Sequence, residues 1–137
     1  MLEPSKKCFG CAAENPIGLR LKVERDGDHC VARFVSNEHH QGWEGMVHGG
    51  VLAALMDEIM AWALWYHQVR AVTGSLSLRY LQPAPIGEEI LVRGWLARRT
   101  SRAVETRAEV RSPAGALIAE AKALCVMPPP SQKRPAQ

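Results

Sequence analysis

The sequence predicts an α+β fold in which an antiparallel β-sheet packs against one long helix. From Gly49 to about Val69, residues that favour helix leave almost no polar face, which is typical of a buried helix. Two segments before this helix and four after it alternate apolar and polar residues, as strands do when one face is buried. Short turns join the last four segments, so we expect antiparallel pairing.

The strands are predicted from this alternation and from the turns between them. The first two form a hairpin around Asp26-Gly27-Asp28, and a turn from Pro83 to Gly87 closes the strand after the helix. The six alternating segments are 19–24, 30–35, 72–80, 90–96, 104–110 and 117–125. Because one helix cannot cover the apolar faces of six strands, the sequence also predicts self-association.

Length, composition and charge limit the class of protein. The 137 residues are enough for one domain, which we expect over residues 8–127, with flexible tails at 1–7 and 128–137. The net charge of +3 comes from scattered basic residues, which does not favour nucleic-acid binding. Asp57 and Glu58 interrupt the most apolar stretch, so no membrane span is expected. The N-terminus lacks a signal-like apolar run, which predicts a cytoplasmic protein with reduced thiols.

The start of the helix is the first candidate site. His48-Gly49-Gly50 stands there, and glycines leave the first backbone N–H groups unshielded. The helix dipole adds about half a positive charge at this point. Such a helix start can stabilise a carbonyl oxygen that becomes negative, as acyl transfer requires. Two glycines before a helix also occur in ordinary turns, so the motif alone does not establish a site.

Asp57 is the second candidate. It is a carboxylate among apolar helix residues, where it could act as a general base or a nucleophile. The alternative is a structural aspartate that is hydrogen-bonded across a dimer interface. Seven residues separate Gly50 from Asp57, which corresponds to a rise of about 10.5 Å along the helix. One chain therefore cannot bring both groups to one carbonyl, and a shared site needs the helix of a second chain.

Several motifs together resemble the hotdog-fold acyl-CoA thioesterases, of the phenylacetate-pathway and thioesterase superfamily branch. These motifs are Cys8-Phe9-Gly10-Cys11, Asn15-Pro16-Ile17-Gly18-Leu19, the block from His48 to Asp57, and Tyr80-Leu81-Gln82-Pro83 with Gly87. The resemblance implies a sheet wrapped around the central helix, an obligate dimer that often pairs into a tetramer, and no metal or organic cofactor.

The resemblance also implies roles for individual residues. The Gly49 amide would polarise the thioester carbonyl, and Asp57 of the partner subunit would attack that carbonyl or activate water. Thr73 falls where relatives carry a serine or threonine that assists the water or the carboxylate. Several relatives have an asparagine six residues before the histidine, whereas this chain has Gly42 there, and Gln41 could substitute for it.

Further residues are candidates for binding the substrate or orienting the site. Gly50 would add a second amide, and His48 is expected to orient the loop or the carbonyl donor through a hydrogen bond, without acting as the base. Trp43, in the glycine-rich loop, could line an acyl pocket. Arg99 and Arg102, in a basic hairpin turn, could bind the phosphates of coenzyme A, with a solvated turn as the alternative.

Cys8-x-x-Cys11 is the remaining motif with possible chemistry. It could begin a zinc site with His29 or Cys30 as a later ligand. No second cysteine pair follows at a regular spacing, so we expect a loop without metal. Glu58 lies about 100° around the helix from the preceding aspartate, and we expect it to be a satisfied or rim charge.

Taken together, these observations predict an enzyme that hydrolyses an acyl-CoA thioester to the free carboxylic acid and CoA. One alternative is a dehydratase or hydratase of the same fold, which would need a catalytic histidine paired with an acid. The other is a non-catalytic thioester-binding or dimeric interaction protein. The sequence leaves open the acyl group, the choice between CoA and an acyl-carrier protein, and whether Asp57 is nucleophile or base.

Overall fold

The computed structural model describes residues 3–128, which form one long helix and six strands. The helix, α1, spans Gly49–Tyr66, and a short 3-10 helix at Glu38–His40 precedes it. The strands are β1 Glu24–Asp26, β2 His29–Val35, β3 Val72–Tyr80, β4 Glu89–Arg99, β5 Ala103–Arg111 and β6 Leu117–Val126.

All six strands lie in one antiparallel sheet in the order β1-β2-β4-β5-β6-β3. The helix follows β2, and the chain then crosses to the far edge of the sheet, where β3 pairs with β6. The predicted α+β architecture, an antiparallel sheet around one central helix, is confirmed.

One side of α1 is buried against the sheet. Its fully buried side chains are Leu52, Leu55, Met56, Ile59, Met60, Ala63 and Leu64. Helix and sheet approach closely at Gly94 of β4, where an added Cβ would lie 2.8 Å from Ile59 Cγ2 and 3.0 Å from the Ile59 carbonyl oxygen. Glycine at this position therefore lets the helix backbone come close to the strand.

The helix ends about three residues before the predicted boundary. Gln68 has a left-handed φ of 58°, and its N–H donates to the Trp65 carbonyl at 3.0 Å. The Val69 N–H donates to the Leu64 carbonyl at 2.9 Å. Together these bonds satisfy the last carbonyls and stop the helix. Val69 continues the apolar pattern because it is buried behind the helix end, not because it is helical.

The prediction of a first strand over residues 19–24 is mostly wrong. Only the three residues of β1, Glu24–Asp26, pair with β2. The N–H groups of Leu19 and Leu21 donate instead to the carbonyls of Phe9 and Gly10, at 2.8 and 2.9 Å. Both leucines are buried. The segment thus has the alternating burial of a strand while its backbone bonds to a loop.

β3 is an edge strand, and its apolar side chains are exposed in the single protomer. Val72, Leu76 and Tyr80 are exposed on β3, and Leu124 and Val126 are exposed on the adjacent β6. An edge strand with an exposed apolar surface is a typical place for one chain to pair with another. The surface therefore favours the self-association that the sequence predicts.

The predicted domain limits, 8–127, stay a prediction, because much of the predicted tails lies outside the described residues. Residues 1, 2 and 129–137 are the positions concerned. Within residues 3–128, no helix is long and apolar enough to cross a membrane.

We expect Gly94→Ala to lower the free energy of unfolding by about 1–3 kcal/mol, because the new methyl group would overlap both Ile59 and the helix backbone. Urea unfolding followed by circular dichroism measures this. Gly49→Ala is the control, since its Cβ would lie at an ordinary 3.4 Å from the Tyr80 ring. That control should keep wild-type stability or gain up to about 1 kcal/mol. Equal unfolding free energies for Gly94→Ala and wild type would contradict the close packing.

Candidate active site

The first turn of α1 presents one amide without an acceptor among the described residues. His48 is the N-cap, and its Nδ1 accepts a hydrogen bond from the Gly50 N–H at 2.8 Å. The His48 carbonyl accepts from the N–H groups of Val51 and Leu52. Within residues 3–128, the Gly49 N–H has no acceptor. This N–H stands at the positive end of the helix dipole, where it can stabilise an oxygen that carries negative charge.

His48 fixes the geometry of this helix start. Its backbone N–H donates to the His40 carbonyl at 2.8 Å, and its ring caps Gly50. An orienting histidine agrees with the sequence-based expectation. The ring also occupies the Gly50 amide, so Gly50 offers no unbonded N–H here, and the substrate contact expected of it stays a prediction.

Tyr80, at the end of β3, holds the same helix start from the other side. Its hydroxyl donates to the Gly49 carbonyl at 2.8 Å, and its ring flanks the Gly49 Cα. This role of Tyr80 was not predicted from the sequence. The position of Tyr80 within Tyr-Leu-Gln-Pro was the available signal, but sequence spacing alone does not show that the strand end reaches the helix start.

The fold brings Asp57 and Thr73 together, as the family resemblance implies. The Thr73 hydroxyl donates to Asp57 Oδ1 at 3.1 Å, and Asp57 is half-buried on the side of α1 that meets β3. The pairing register of β3 with β6 shifts between Thr73 and Ser75. Irregularities of this kind redirect side chains, and this one lies beside the Asp57 contact.

The structure does not bring Gly49 and Asp57 together within one chain. Both belong to α1, and the eight residues from one to the other correspond to a rise of about 12 Å. A reacting carbonyl must lie within about 3 Å of both the attacking group and the amide donor. The single protomer therefore contains two halves of a possible site.

Gln41 and Gly42 lie beside His48. The Gln41 side chain donates to the Glu38 carbonyl at 2.9 Å and accepts from the Gly45 N–H at 2.7 Å. Both ends of its amide therefore brace the loop, and the thioester contact expected of Gln41 stays a prediction. A Cβ at Gly42 would lie 3.1 Å from His48 Cα and 3.2 Å from His48 Cδ2. The close packing against His48 explains why a glycine occupies this position.

The remaining predicted binding residues lie on the protomer surface. Trp43 is 84% exposed, so it lines no enclosed acyl pocket in a single chain. Arg99 and Arg102 are exposed where β4 turns into β5. Among the described residues, neither arginine forms an ion pair. Their contribution to substrate binding stays a prediction.

The zinc ligands considered for Cys8 and Cys11 are placed elsewhere. His29 stacks on the Trp95 ring with centroids 4.9 Å apart, and among the described residues the metal-ligand group that contains Cys8 and Cys11 does not include it. Cys30 is buried in the core, where burial raises the pKa of its thiol to about 11. The proposed use of His29 or Cys30 as a later zinc ligand is therefore wrong.

Glu58 is instead the residue that meets the two cysteines. Cys8 Sγ lies 3.6 Å from Glu58 Oε1, and Trp62 Nε1 donates to the same oxygen at 3.2 Å. The pKa of the Cys11 thiol is raised to about 12, chiefly by burial and then by hydrogen bonds and negative charge from Glu58 and Cys8. Glu58 is hydrogen-bonded, as expected, but its contact with the cysteines was not predicted.

Comparison with known proteins assigns the chain to a family. Residues 44–119 match the model of the thioesterase superfamily, a range that contains the helix start, Asp57 and Thr73. Acyl-coenzyme A thioesterase 13 from Homo sapiens and its counterpart from Pongo abelii are each 30% identical to the chain over 112 residues, which is 80% of this chain and 80% of theirs.

Solved structures show the same fold. One thioesterase superfamily protein superposes with a TM-score of 0.83 at 26% identity; the match covers 85% of this chain but 58% of that one. The E. coli PaaI protein, from the phenylacetic acid degradation operon, superposes with a TM-score of 0.74 at 16% identity, covering 79% of this chain and 83% of its own. The chain therefore belongs to the thioesterase superfamily and has its hotdog fold.

Proposed function

We propose that the protein hydrolyses an acyl-CoA thioester to a free carboxylic acid and CoA. The observation that carries this proposal is the Gly49 N–H at the start of α1, which has no acceptor among residues 3–128 while the amides after it are bonded. Family membership supports thioester hydrolysis as the reaction class. The names of the human and orangutan relatives support an acyl-CoA as the substrate.

The Gly49 amide stabilises the charge that develops during the reaction. When a nucleophile adds to the thioester carbonyl carbon, the carbonyl oxygen becomes negative. A fixed N–H donor at the positive helix end stabilises that oxygen more than the neutral carbonyl, which lowers the barrier. Tyr80, which bonds the Gly49 carbonyl, and His48, which bonds the Gly50 N–H, hold the backbone around this amide in place.

Asp57 supplies the attack. As a general base, it takes a proton from water while the water oxygen bonds to the carbonyl carbon; the C–S bond then breaks and the proton leaves with the CoA thiol. As a nucleophile, its oxygen displaces the thiol first, and water then hydrolyses the mixed anhydride. In both routes the Thr73 hydroxyl holds Oδ1 and leaves Oδ2 to react.

The complete site is formed between two chains. The rise of about 12 Å from Gly49 to Asp57 prevents one helix from supplying both groups. In a two-fold dimer with antiparallel helices, Gly49 of one chain meets Asp57 of the partner subunit, and two equivalent sites result. The exposed apolar edge on β3 and β6 supports such an assembly.

Two exposed arginines and an exposed tryptophan are proposed to recognise the substrate. Arg99 and Arg102 carry guanidinium groups that suit the phosphates of CoA, and neither group is held in an ion pair among the described residues. Trp43 is exposed enough to cover an acyl group once a second chain completes the pocket.

We expect Asp57→Asn to lower kcat/KM for thioester hydrolysis by about 100-fold or more, because the amide can neither accept the water proton nor attack the carbonyl. Release of the CoA thiol from a panel of acyl-CoA esters, from short aliphatic to aryl-acetyl, measures the effect.

Asp28→Asn is the matched control for this substitution. It makes the same chemical change in the turn between β1 and β2, where the side chain is exposed. This control should hydrolyse the panel at the wild-type rate. Wild-type activity in the Asp57→Asn protein would overturn the mechanism, and no hydrolysis by wild type of any panel member would favour a non-catalytic binding protein.

A second prediction concerns the Gly49 amide. Gly49→Pro deletes its N–H, and proline is well tolerated at the first helical position. His48 has ψ 135°, an extended conformation compatible with a following proline. We expect a loss of about 100-fold in kcat with near wild-type stability. Gly49→Ala keeps the N–H, so it should retain most of the activity, and equal activity of the two variants would exclude the amide as donor.

The same variants test whether the site is shared. Gly49→Pro and Asp57→Asn chains, each inactive alone, are unfolded and refolded together in equal amounts. A mixed dimer then holds one site with both wild-type groups, so the mixture should recover about a quarter of wild-type activity. No recovery, in a mixture whose mixed dimers are seen by native mass spectrometry, would contradict a site between chains.

A further inference from the structure

We propose that Cys8, Cys11 and Glu58 form a binding site for a divalent transition metal, with Zn²⁺ as the best match. Two cysteines and one carboxylate make a mixed sulfur and oxygen donor set, which suits zinc better than magnesium or calcium. The site would fasten the N-terminal loop to α1, and it is independent of the proposed thioesterase reaction.

The spacing of the donor atoms fits a tetrahedral ion. One atom from each of the three residues lies within 4.8 Å of the others, and no other group of three or more His, Cys, Asp or Glu residues in 3–128 meets this distance. Cys8 Sγ lies 3.6 Å from Glu58 Oε1 and 3.8 Å from Oε2. Zinc bonds of about 2.3 Å to sulfur and about 2.1 Å to oxygen place these atoms about 3.6 Å apart at a tetrahedral angle. The Cys8–Glu58 pair thus already has the required separation.

The loop between the cysteines is shaped around the Glu58 carboxylate. Gly10 lies directly against it, and any Cβ at that position would overlap the carboxylate carbon and oxygen. The loop is also fixed by its backbone, since the Ala12 N–H donates to the Cys8 carbonyl at 3.0 Å. The carbonyl of Gly10 accepts from Leu21. A metal would therefore meet donors that are already positioned, which lowers the entropy cost of binding.

Glu58 lacks a charged partner in the described part of the chain. It is half-buried and takes part in none of the ion pairs found there. Its donors are the Trp62 indole and the weakly donating Cys8 thiol. A divalent cation would supply the missing positive charge, while the Trp62 N–H would orient the carboxylate, as outer partners do at metal sites.

The environment leaves a fourth coordination position open. Cys8, Cys11 and Glu58 face a groove of about 340 Å³, whose other walls include Trp62 and Trp65. A water molecule can enter from this side and complete four-fold coordination. On binding, the two thiol protons are released to solvent and the sulfurs bond to the metal as thiolates.

The position on the helix separates this site from the proposed reaction. Glu58 follows Asp57 directly and points about 100° away around α1. Asp57 faces Thr73 on β3, whereas Glu58 faces the N-terminal loop. The metal would thus anchor the loop that carries the backbone contacts to Leu19 and Leu21, and would not contact the thioester.

Metal titration of the full-length, reduced, chelator-treated protein tests the proposal. We expect one Zn²⁺ per chain, measured by competition with a chromophoric chelator, and a raised midpoint of thermal unfolding. Co²⁺ should give the charge-transfer band of cobalt–thiolate bonds and the intense visible bands of a tetrahedral ion. Absence of stoichiometric Zn²⁺ binding, or a Co²⁺ spectrum without a thiolate band, would overturn the proposal.

Three variants assign the ligands. Cys8→Ser, Cys11→Ser and Glu58→Gln should each weaken Zn²⁺ binding by about 100-fold or more, beyond the 10–100-fold typical of an outer partner. Glu14→Gln is the control, because it removes an exposed carboxylate near the same loop. Unchanged affinity in the Cys8→Ser or Cys11→Ser protein would overturn the assignment. If a variant does not fold, the same question is answered in wild type by measuring whether bound Zn²⁺ protects Cys8 and Cys11 from an alkylating reagent. Absence of protection would contradict the site.

The same titration separates this proposal from the thioesterase function. Asp57→Asn should bind Zn²⁺ with wild-type affinity, since its side chain faces β3. Loss of Zn²⁺ binding in Asp57→Asn would show that the metal belongs to a different site and would contradict the assignment.

Discussion

The close packing of α1 on the sheet is the constraint on which the rest of the structure depends. At Gly94 the strand comes within contact distance of the Ile59 backbone, which fixes both the depth and the rotation of the helix. Once that rotation is fixed, the directions of the two helix carboxylates are fixed as well. Asp57 faces β3, and Glu58 faces the N-terminal loop.

The two acidic residues of α1 show how the helix combines stability with chemistry. An unpaired carboxylate is costly in an apolar setting, so each must find a partner. Asp57 accepts from Thr73, and Glu58 accepts from Trp62. Neither partner is a cation, so both carboxylates stay available for their proposed roles, which are reaction with water or the thioester for Asp57 and metal binding for Glu58. Such placement is typical of functional groups rather than of surface charges.

The sequence predicts the elements well because their periodicity is set by burial against one core. α1 and strands β2, β4, β5 and β6 follow this rule. β3 was predicted from the same alternation, although its side chains are almost all exposed in the single protomer. The contact between Asp57 and Thr73 was expected from the family resemblance, not from burial. The rule fails for residues 19–23, where alternate side chains are buried but the backbone bonds to a loop. The alternation of buried and exposed side chains is the same in both cases, so it does not by itself distinguish this arrangement from a paired strand.

Sequence patterns could not predict the contacts that the site makes between residues far apart in the chain. Tyr80 reaches Gly49 only because β3 runs along the helix to its start, and Glu58 meets Cys8 only because the loop folds over the middle of α1. Both contacts depend on the crossing of elements far apart in the chain. Gly42 is likewise understood only from its contact with His48.

The protomer folds around one core, but in the proposed mechanism it supplies only half of each active site. Its helix separates the amide of Gly49 from the carboxylate of Asp57 by two turns, and its edge strand β3 leaves apolar side chains exposed. In the proposed dimer, the partner subunit covers the apolar β3 edge and also supplies the other half of each site. Assembly and hydrolysis would then depend on the same contacts, so a substitution that weakens the β3 edge would lower activity even though it touches no reacting atom.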